Sequence, residues 1–587
     1  MQRFGRTVKR MGTIGMILTL CFGCGGGGGS SSTEAPGTPS ADFPITPQSQ
    51  PIGEVPGTLL PDGPPVATGP AEQPVPPPEP PRVILPVQAP LFKKALVGEG
   101  TDEGWFGSPA VADLDGDGAP EIIAARRRTL YVWHSDAAGT LFWKASPPIS
   151  HGRIWGPPVV VDLDGDGKLE VAVGSSDEKV SVWNWNGKPK AGWPVSLGND
   201  AETTLREVRS LAAGQLSDGR VGLLASRTRK TQKVPVAFLF DAAGKRFPNW
   251  PQLSTSEGCD LLPSTDANCF EAGTYNQNVG IADFDGDGAS DLIIGYDNIY
   301  IGVFHQNGAP FATDPALFAR PFFPGIPAYH DYALAKKGSG PDGKDRSEFM
   351  DSPPVVADLD GDGKRELILV GDHEKAGNYS EVFGNALFVF HPDATRAAGF
   401  ETPFQTGKPL VHDDINPQGG NIVDVTAAPA VADLNGDGKK EILFQSYDGH
   451  LYAVRYTDVP NQRLLWKFSF ANTGARFASE PVIGDLNGDG RPEILFTTYE
   501  TVAGKGALLV LDADGKELFR KTLPGRGAMA APTLANVDGD AELEILINLK
   551  DGAEGIEIYD LPGSNQADLL PWPTGRGNFL RNGDATD

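Results

Sequence analysis

The segment VADLDGDGAPEII, beginning at Val111, recurs almost unchanged along the chain. That recurrence limits the fold more than any other feature. Self-alignment gives SPAVADLDGDGAPEIIAA, GPPVVVDLDGDGKLEVAVG, NVGIADFDGDGASDLIIG, SPPVVADLDGDGKRELILVG, AAPAVADLNGDGKKEILFQ, SEPVIGDLNGDGRPEILFT and AAPTLANVDGDAELEILIN. An eighth unit, SLAAGQLSDGRVGLLAS from Ser210, keeps the apolar frame without the acids. First loop positions fall at 113, 162, 214, 283, 358, 433, 485 and 536, a period near 50 that stretches to about 75 mid-chain. Self-similarity on this scale marks a repeat architecture, in which each unit buries its apolar face against its neighbours.

Each unit reads as strands. In the first, Ala110–Ala112 enters the acidic loop, Ile122 and Ile123 leave it, and an alternating TLYVWHS, a DAAGT turn and LFWKAS follow. That is four short antiparallel strands with turn residues between them. A large apolar residue marks the fourth strand: Trp143, Trp193, Trp250, Phe311, Phe400, Trp466, Phe519 and Trp572. Four-stranded units repeated about an axis make an all-β propeller. Seven full motifs, one degenerate unit and eight markers predict eight blades. Seven blades, the alternative, would leave one unit outside the ring.

The loops carry the chemistry. In the first, positions 1, 3, 5 and 9 are Asp113, Asp115, Asp117 and Glu121, with the carbonyl of Ala119 at position 7. Gly116 and Gly118 permit the tight backbone that turns these groups inward. Hard oxygen donors in a flexible ring suit Ca²⁺ better than Mg²⁺. The same positions are Asp162, Asp164, Asp166, Lys168 and Glu170 in the second unit, and Asp283, Asp285, Asp287, Ala289 and Asp291 in the fourth. The fifth has Asp358, Asp360, Asp362, Lys364 and Glu366. Asn replaces the third acid in Asp433, Asn435, Asp437, Lys439, Glu441 and in Asp485, Asn487, Asp489, Arg491, Glu493. The last loop, Asn536, Asp538, Asp540, Glu542 and Glu544, also has Ala541 in place of Gly and reads as a weak site. The third unit, with Gly214, Leu216, Asp218 and Gly222 at the ligand positions, reads as empty. An EF-hand needs Glu at position 12 and flanking helices, and neither is present. A plain Asp-Gly turn needs one or two of these residues, not a full set in register.

A DxDGDGxxE loop between two apolar strands resembles the FG-GAP/VCBS repeats, the units of integrin α-subunit-like propellers. The likeness runs from about residue 95 to 580 and implies a calcium-binding, often seven-bladed propeller.

Composition and termini point outside the cytoplasm. The formal charge of −26 excludes nucleic acid and anionic membrane as main partners. The chain opens with basic MQRFGRTVKR and apolar MGTIGMILTLCFG, too short to span a membrane, so residues 1–23 read as a signal peptide. LCFGC followed by a Gly/Ser run resembles a bacterial lipoprotein cleavage site, with Cys24 carrying the lipid and Cys21 standing where Leu is usual. Gly25 after it implies the outer membrane. Residues 24–92 are a Gly/Ser/Pro-rich tether spanning about 45 Å as a coil. The propeller is expected over 93–580, with 581–587 as a tail. Cys259 and Cys269 are expected to form a disulfide in this oxidising setting.

Insertions at 253–278, 314–350, 372–385 and 405–425 all map to the face opposite the acidic loops. Long loops on a compact repeat fold are usually functional. The second contains Phe318, Arg320, Phe322, Phe323, Tyr329, His330 and Tyr332, residue types suited to a carbohydrate or protein contact. The competing reading is a loop covering its own small core. The leading expectation is a monomeric, non-enzymatic binding or adhesion protein at the cell surface. The runner-up is a polysaccharide-active enzyme, since some rhamnogalacturonan lyases are calcium-containing eight-bladed propellers. No HExxH or GxSxG motif supports chemistry. A quinoprotein-like reading rests only on PWPTGRGNFLRNG, a string better read as closing the ring.

Positions 1, 3, 5 and 9 of the seven loops hold 25 of the 76 acidic residues, so like charges crowd each loop when no cation is present. Chelation should therefore lower the melting temperature substantially, and an unchanged curve in excess chelator would count against calcium.

Overall fold

A computed structural model describes residues 86–98 and, apart from short stretches, 104–585. Residues 1–85, 199–206, 229–234, 254–276 and 411–427 are the main segments outside the described set. Cys24, the Cys259–Cys269 pairing, the signal peptide and most of the tether fall in them. Among the described residues, no helix is long and apolar enough to cross a membrane.

Eight antiparallel sheets follow one another along the chain, one per repeat. Blade 1 is Ala110–Ala112, Glu121–Arg126, Thr129–His134 and Leu141–Ala145. Its acidic loop joins the first two strands, and the same placement recurs in every acidic unit. Blade 4 has three regular strands among the described residues, its outer edge reduced to the Phe304–Pro310 bridge. Blade 5 gains an extra strand, Arg346–Glu348, and lengthens its middle hairpin to Glu366–Lys375 and Asn378–Phe390. The fold is an all-β propeller of eight blades. Apolar clusters between successive blades form a continuous ring: Val111, Ile122, Leu546 and Ile558 join blades 8 and 1 as Ile123, Val132, Val160 and Val171 join blades 1 and 2.

Trp143, Trp193, Trp250 and Trp466 do more than fill space. Their indole N–H groups donate to Trp185 O at 2.8 Å, Ala242 O at 3.0 Å, Gln306 O at 3.0 Å and Ala513 O at 2.9 Å. Each acceptor lies in the turn between the third and fourth strands of the next blade. The aromatic marker is thus an inter-blade clasp, its polar handle satisfied while its body is buried. A side chain at Gly187 or Gly515 would collide with the Trp143 or Trp466 ring.

Trp572 does not belong to that series. The fourth strand of blade 8 is Leu91–Leu96, paired with Ile556–Leu561, so the N-terminal strand closes the ring. Residues 572–585 run instead along the propeller axis, and 581–585 are not a tail. Innermost strands have one open edge, and their amides need acceptors when water is excluded. The axial segment supplies them blade after blade. Ile483 N donates to Trp572 O at 2.8 Å, Leu534 N to Pro573 O at 2.8 Å and Val160 N to Phe579 O at 3.0 Å. Ala213 N donates to Leu580 O at 2.9 Å, Ile281 N to Asn582 O at 3.2 Å and Val356 N to Gly583 O at 2.9 Å. Arg581 covers blades 1 and 2, donating to Ser108 O at 3.1 Å, Pro109 O at 3.0 Å and Pro158 O at 3.2 Å. Lys440 of blade 6 donates to Ala585 O at 2.9 Å. Buried Glu480 accepts from Trp572 Nε1 at 3.1 Å and Arg576 N at 2.6 Å.

Arg581 is fully buried, so Arg581→Met would leave several carbonyls without donors. We expect a loss of about 3 kcal/mol or more, read as a lower denaturant midpoint. A midpoint within error of wild type would show that the axial segment contributes little.

Candidate functional site

Two regions bring polar groups together: the rim of acidic loops and the opposite, insertion-bearing face. At the rim, every intact loop uses its carboxylates to hold its own backbone. Asp113 Oδ1 and Oδ2 accept from Gly116 N at 2.7 Å and Gly118 N at 2.9 Å. Both glycines have positive φ, 79° and 90°, which Ala541 of blade 8 does not adopt. There Asn536 accepts only from Gly539 N at 3.0 Å and donates its amide to Asp540 O.

The position-9 carboxylate opens the second strand and is buried in every loop. One of its oxygens always accepts from the position-2 amide. These bonds are Leu114–Glu121 at 2.8 Å, Leu163–Glu170 at 3.0 Å, Phe284–Asp291 at 3.0 Å and Leu359–Glu366 at 3.0 Å. Leu434–Glu441 at 3.0 Å, Leu486–Glu493 at 2.8 Å and Val537–Glu544 at 2.8 Å complete the series. The other oxygen faces the loop interior with the position-1 and position-3 acids. Asp283 Oδ1 and Asp360 Oδ1 are buried there without a hydrogen-bond partner. Converging oxygens and orphaned carboxylate atoms fit an oxygen-ligated divalent cation.

Several side chains beside the loops were not singled out from sequence. His134 Nδ1 lies 3.0 Å from Glu121 Oε1, His305 Nδ1 3.3 Å from Asp291 Oδ1, and His391 Nδ1 3.4 Å from Glu366 Oε1. All three occupy the residue at or just after the end of the third strand. Glu121 and His134 are cross-strand partners, so correct strand register was the signal that would have found them.

Electrostatics separates the loops. Burial, reinforced by Asp285, pushes the Asp291 carboxyl up to about 8. Burial likewise raises Glu493 to about 8 and Glu441 to about 7, with Asp489 and Asp437 adding to it. Glu121, Glu170 and Glu544 are also raised by burial, but His134, Lys190 and Lys93 oppose the shift.

On the insertion face, the blade 4–5 link, the long blade 5 hairpin and Phe404–Gln405 meet around His330. Its Nε2 lies 3.0 Å from Ser347 Oγ and its Nδ1 2.7 Å from Gln405 Nε2. The His373 ring lies beside it, tilted, with ring centroids 4.5 Å apart, and His373 Nε2 is 3.3 Å from Asp345 Oδ2. Arg346 Nε donates to Glu374 Oε2 at 2.6 Å. His330, Asp345 and His373 are close enough to share a metal ion. Burial holds His330 down at about 3, so it is neutral throughout the physiological range.

The aromatic platform expected here is corrected. Phe318 and Phe323 are 2 % exposed and pack with Phe284, Phe311 and Phe390 between blades 4 and 5. Tyr329 and His330 are buried too, while Arg320, Phe322 and Tyr332 are half-buried. Tyr332 Oη accepts from Arg396 N at 3.2 Å, under an Arg396 guanidinium 4.9 Å from its ring. The insertion covers its own core because its apolar residues outnumber what an exposed link could leave in water.

Residues 113–173 and 433–496 match a family profile described as an FG-GAP-like repeat. A curated relative, the rhamnogalacturonan endolyase YesW of Bacillus subtilis (strain 168), is 28% identical over 299 residues, 47% of this chain. The match spans 45% of that relative's length, less than half of it. The crystal structure of rhamnogalacturonan lyase YesW aligns over 86% of this chain and 80% of its own, at 16% identity and a TM-score of 0.45. The V. cholerae biofilm matrix protein Bap1 aligns over 85% and 99%, at 12% identity and a TM-score of 0.38. At such distances these two likenesses add nothing to the fold already described.

Carboxyls raised by folding bind protons that the unfolded chain has released. Their stabilisation is complete below the ordinary carboxylate range and is lost as pH rises through about 7 to 8. Chelator-treated protein should therefore melt lower at about pH 9 than at about pH 6, and excess calcium should flatten the difference. A chelated protein that melts higher at the alkaline end would contradict this account.

Proposed function

We propose that this chain is a calcium-stabilised propeller acting on rhamnogalacturonan or a related acidic polysaccharide. The observation that carries the reading is its sequence identity to a rhamnogalacturonan endolyase across nearly half the chain. It reverses the order of the two readings drawn from sequence, placing polysaccharide chemistry ahead of adhesion. The rim loops support calcium as the bound ion, through converging carboxylates and the unpartnered Asp283 and Asp360 oxygens. Calcium there would cancel repulsion between neighbouring acids and fix the first two strands of a blade. Its role is structural. An extracellular polysaccharide also requires export, for which residues 1–23 and Cys24 are the sequence argument, with lipid anchoring of the tether.

Polysaccharide chemistry belongs on the insertion face, where three chain segments converge on charged residues. Elimination from a uronate needs a group that takes a proton and a cation that holds the carboxylate. His330 is unsuited to the first task, because it is buried and both ring nitrogens are engaged. His373 is equally buried, but it keeps one ring nitrogen, Nδ1, without a hydrogen-bond partner. Arg396 lies beside His330, donating to its carbonyl at 3.4 Å, and Arg346, one residue from the cross-strand partner of His373, is paired with Glu374. A second reading, binding without cleavage, is favoured by the burial of both histidines.

Incubation of the purified, calcium-loaded protein with rhamnogalacturonan separates the two. Unsaturated oligosaccharides, seen by their ultraviolet absorbance and lost in His373→Ala, are the expected outcome. Retention of the polymer without cleavage would support the binding reading, and absence of both would remove this substrate class.

A further inference from the structure

Calcium is not the cation that every acidic loop is built to hold. One position of each blade lies directly behind its loop, where the fourth strand turns in against the third. It is fixed by the amide that follows the third strand, which donates across the turn two residues earlier. These bonds run from His134 to Thr140, Asn184 to Lys188, Asp241 to Lys245, His305 to Ala309, His391 to Thr395, Arg455 to Arg463 and Asp512 to Lys516. Two residues further on stand Phe142, Lys190, Phe247, Phe311, Ala397, Leu465 and Leu518. In blades 1, 6 and 7 this residue is a β-bulge, as the interrupted registers beside Phe142, Leu465 and Leu518 show. Blade 8 has the same bulge in its closing strand, between Phe92 and Lys94, and the bulged residue is Lys93.

Six of the eight equivalent residues are therefore apolar, and two are lysines. A lysine in a place that otherwise belongs to the core is costly unless its ammonium meets a counter-charge. Both lysines meet the same one. Lys190 Nζ contacts Asp164 at position 3 and lies 3.1 Å from Glu170 Oε1 at position 9. Lys93 Nζ contacts Asp538 at position 3 and lies 3.1 Å from Glu544 Oε1 at position 9. The Lys190 side chain is 8% exposed, so the loop and strand enclose it. Each ammonium sits between the carboxylates that would have to converge on a metal. The other basic contacts differ: Lys364 meets Asp362 on the exposed outer side, and Arg365 of blade 5 reaches Asp283 from the neighbouring loop.

We propose that Lys190 and Lys93 are the resident cations of the second and eighth loops, each standing in place of a divalent metal. The eighth loop, with Asn536 and Ala541, has lost part of its metal-binding chemistry, as a loop served by an internal ammonium can. The second keeps all four acids, and there Lys190 alone excludes the metal. This inference rests on calcium as the ion of the remaining rim loops, those of blades 1, 4, 5, 6 and 7.

Calcium bound per chain, measured by equilibrium dialysis with elemental analysis, tests it. Wild type is expected to hold five ions, and Lys190→Met six, because a neutral chain of similar length reopens the second loop. The reciprocal variant Leu518→Lys places an ammonium behind the seventh loop and is expected to hold four. Circular dichroism on each variant establishes that it is folded, and Leu518→Lys keeps the test decisive if Lys190→Met does not fold. Seven ions in wild type, or a count that stays at five in a folded variant, would overturn the proposal. No bound calcium in wild type would instead remove the calcium reading on which it rests.

Discussion

A ring of blades has an inner edge that no blade can pair by itself. Eight short inner strands present their amides to the axis, and a dry axis with unpaired amides would cost several kcal/mol. Residues 572–585 meet that requirement for six of the eight by passing the inner strands in ring order and accepting an amide from each, and reach blades 1 and 6 through Arg581 and Lys440. Arg576, Arg581 and Glu480 hold this segment through bonds to backbone and side chain, all in full burial. The inner edge of the propeller is therefore completed by residues 572–585 of the same chain. Blade-to-blade apolar packing and the tryptophan clasps add to that base.

At the rim the problem is charge. The acids hold each loop in shape by accepting its backbone amides, so the turn is specified before any ion arrives. What remains is excess negative charge, and the blades dispose of it differently. Blades 2 and 8 bring a lysine from behind; blades 1, 4 and 5 bring a histidine from the third strand; blades 6 and 7 bring neither. The rim carboxyls pushed up to about 7 or 8, Asp291, Glu441 and Glu493, are in loops that no lysine enters from behind.

The repeat was legible because loop and strand signals recur in phase, so seven motifs and a degenerate eighth pointed to eight blades and to the strand-to-strand placement of each loop, although one of the eight aromatic markers, Trp572, was misplaced. Trp572 misled because an aromatic after an apolar run looks the same on an axis as in a fourth strand. Nothing local marked Leu91–Leu96 as the missing strand, whose partner lies more than four hundred residues away. The aromatics at 318–332 failed as a ligand platform for a related reason. Composition shows that a link is apolar, but only packing shows whether that surface faces a ligand or the neighbouring blades. His373 and Asp345 were invisible as partners of His330, since their meeting depends on a hairpin folding back over a link.

The closing strand has a consequence for the order of assembly. Leu91–Leu96 is among the first parts of the propeller to be synthesised and Ile556–Leu561 among the last, and they lie side by side. The axial residues come later still. Contacts between such distant parts of a chain form slowly, because loop closure precedes any reward. Until then the early blades stand as an open arc with one bare edge and a hollow centre. Completion of the ring thus waits on the last-made strands of the propeller and on the residues that line its centre.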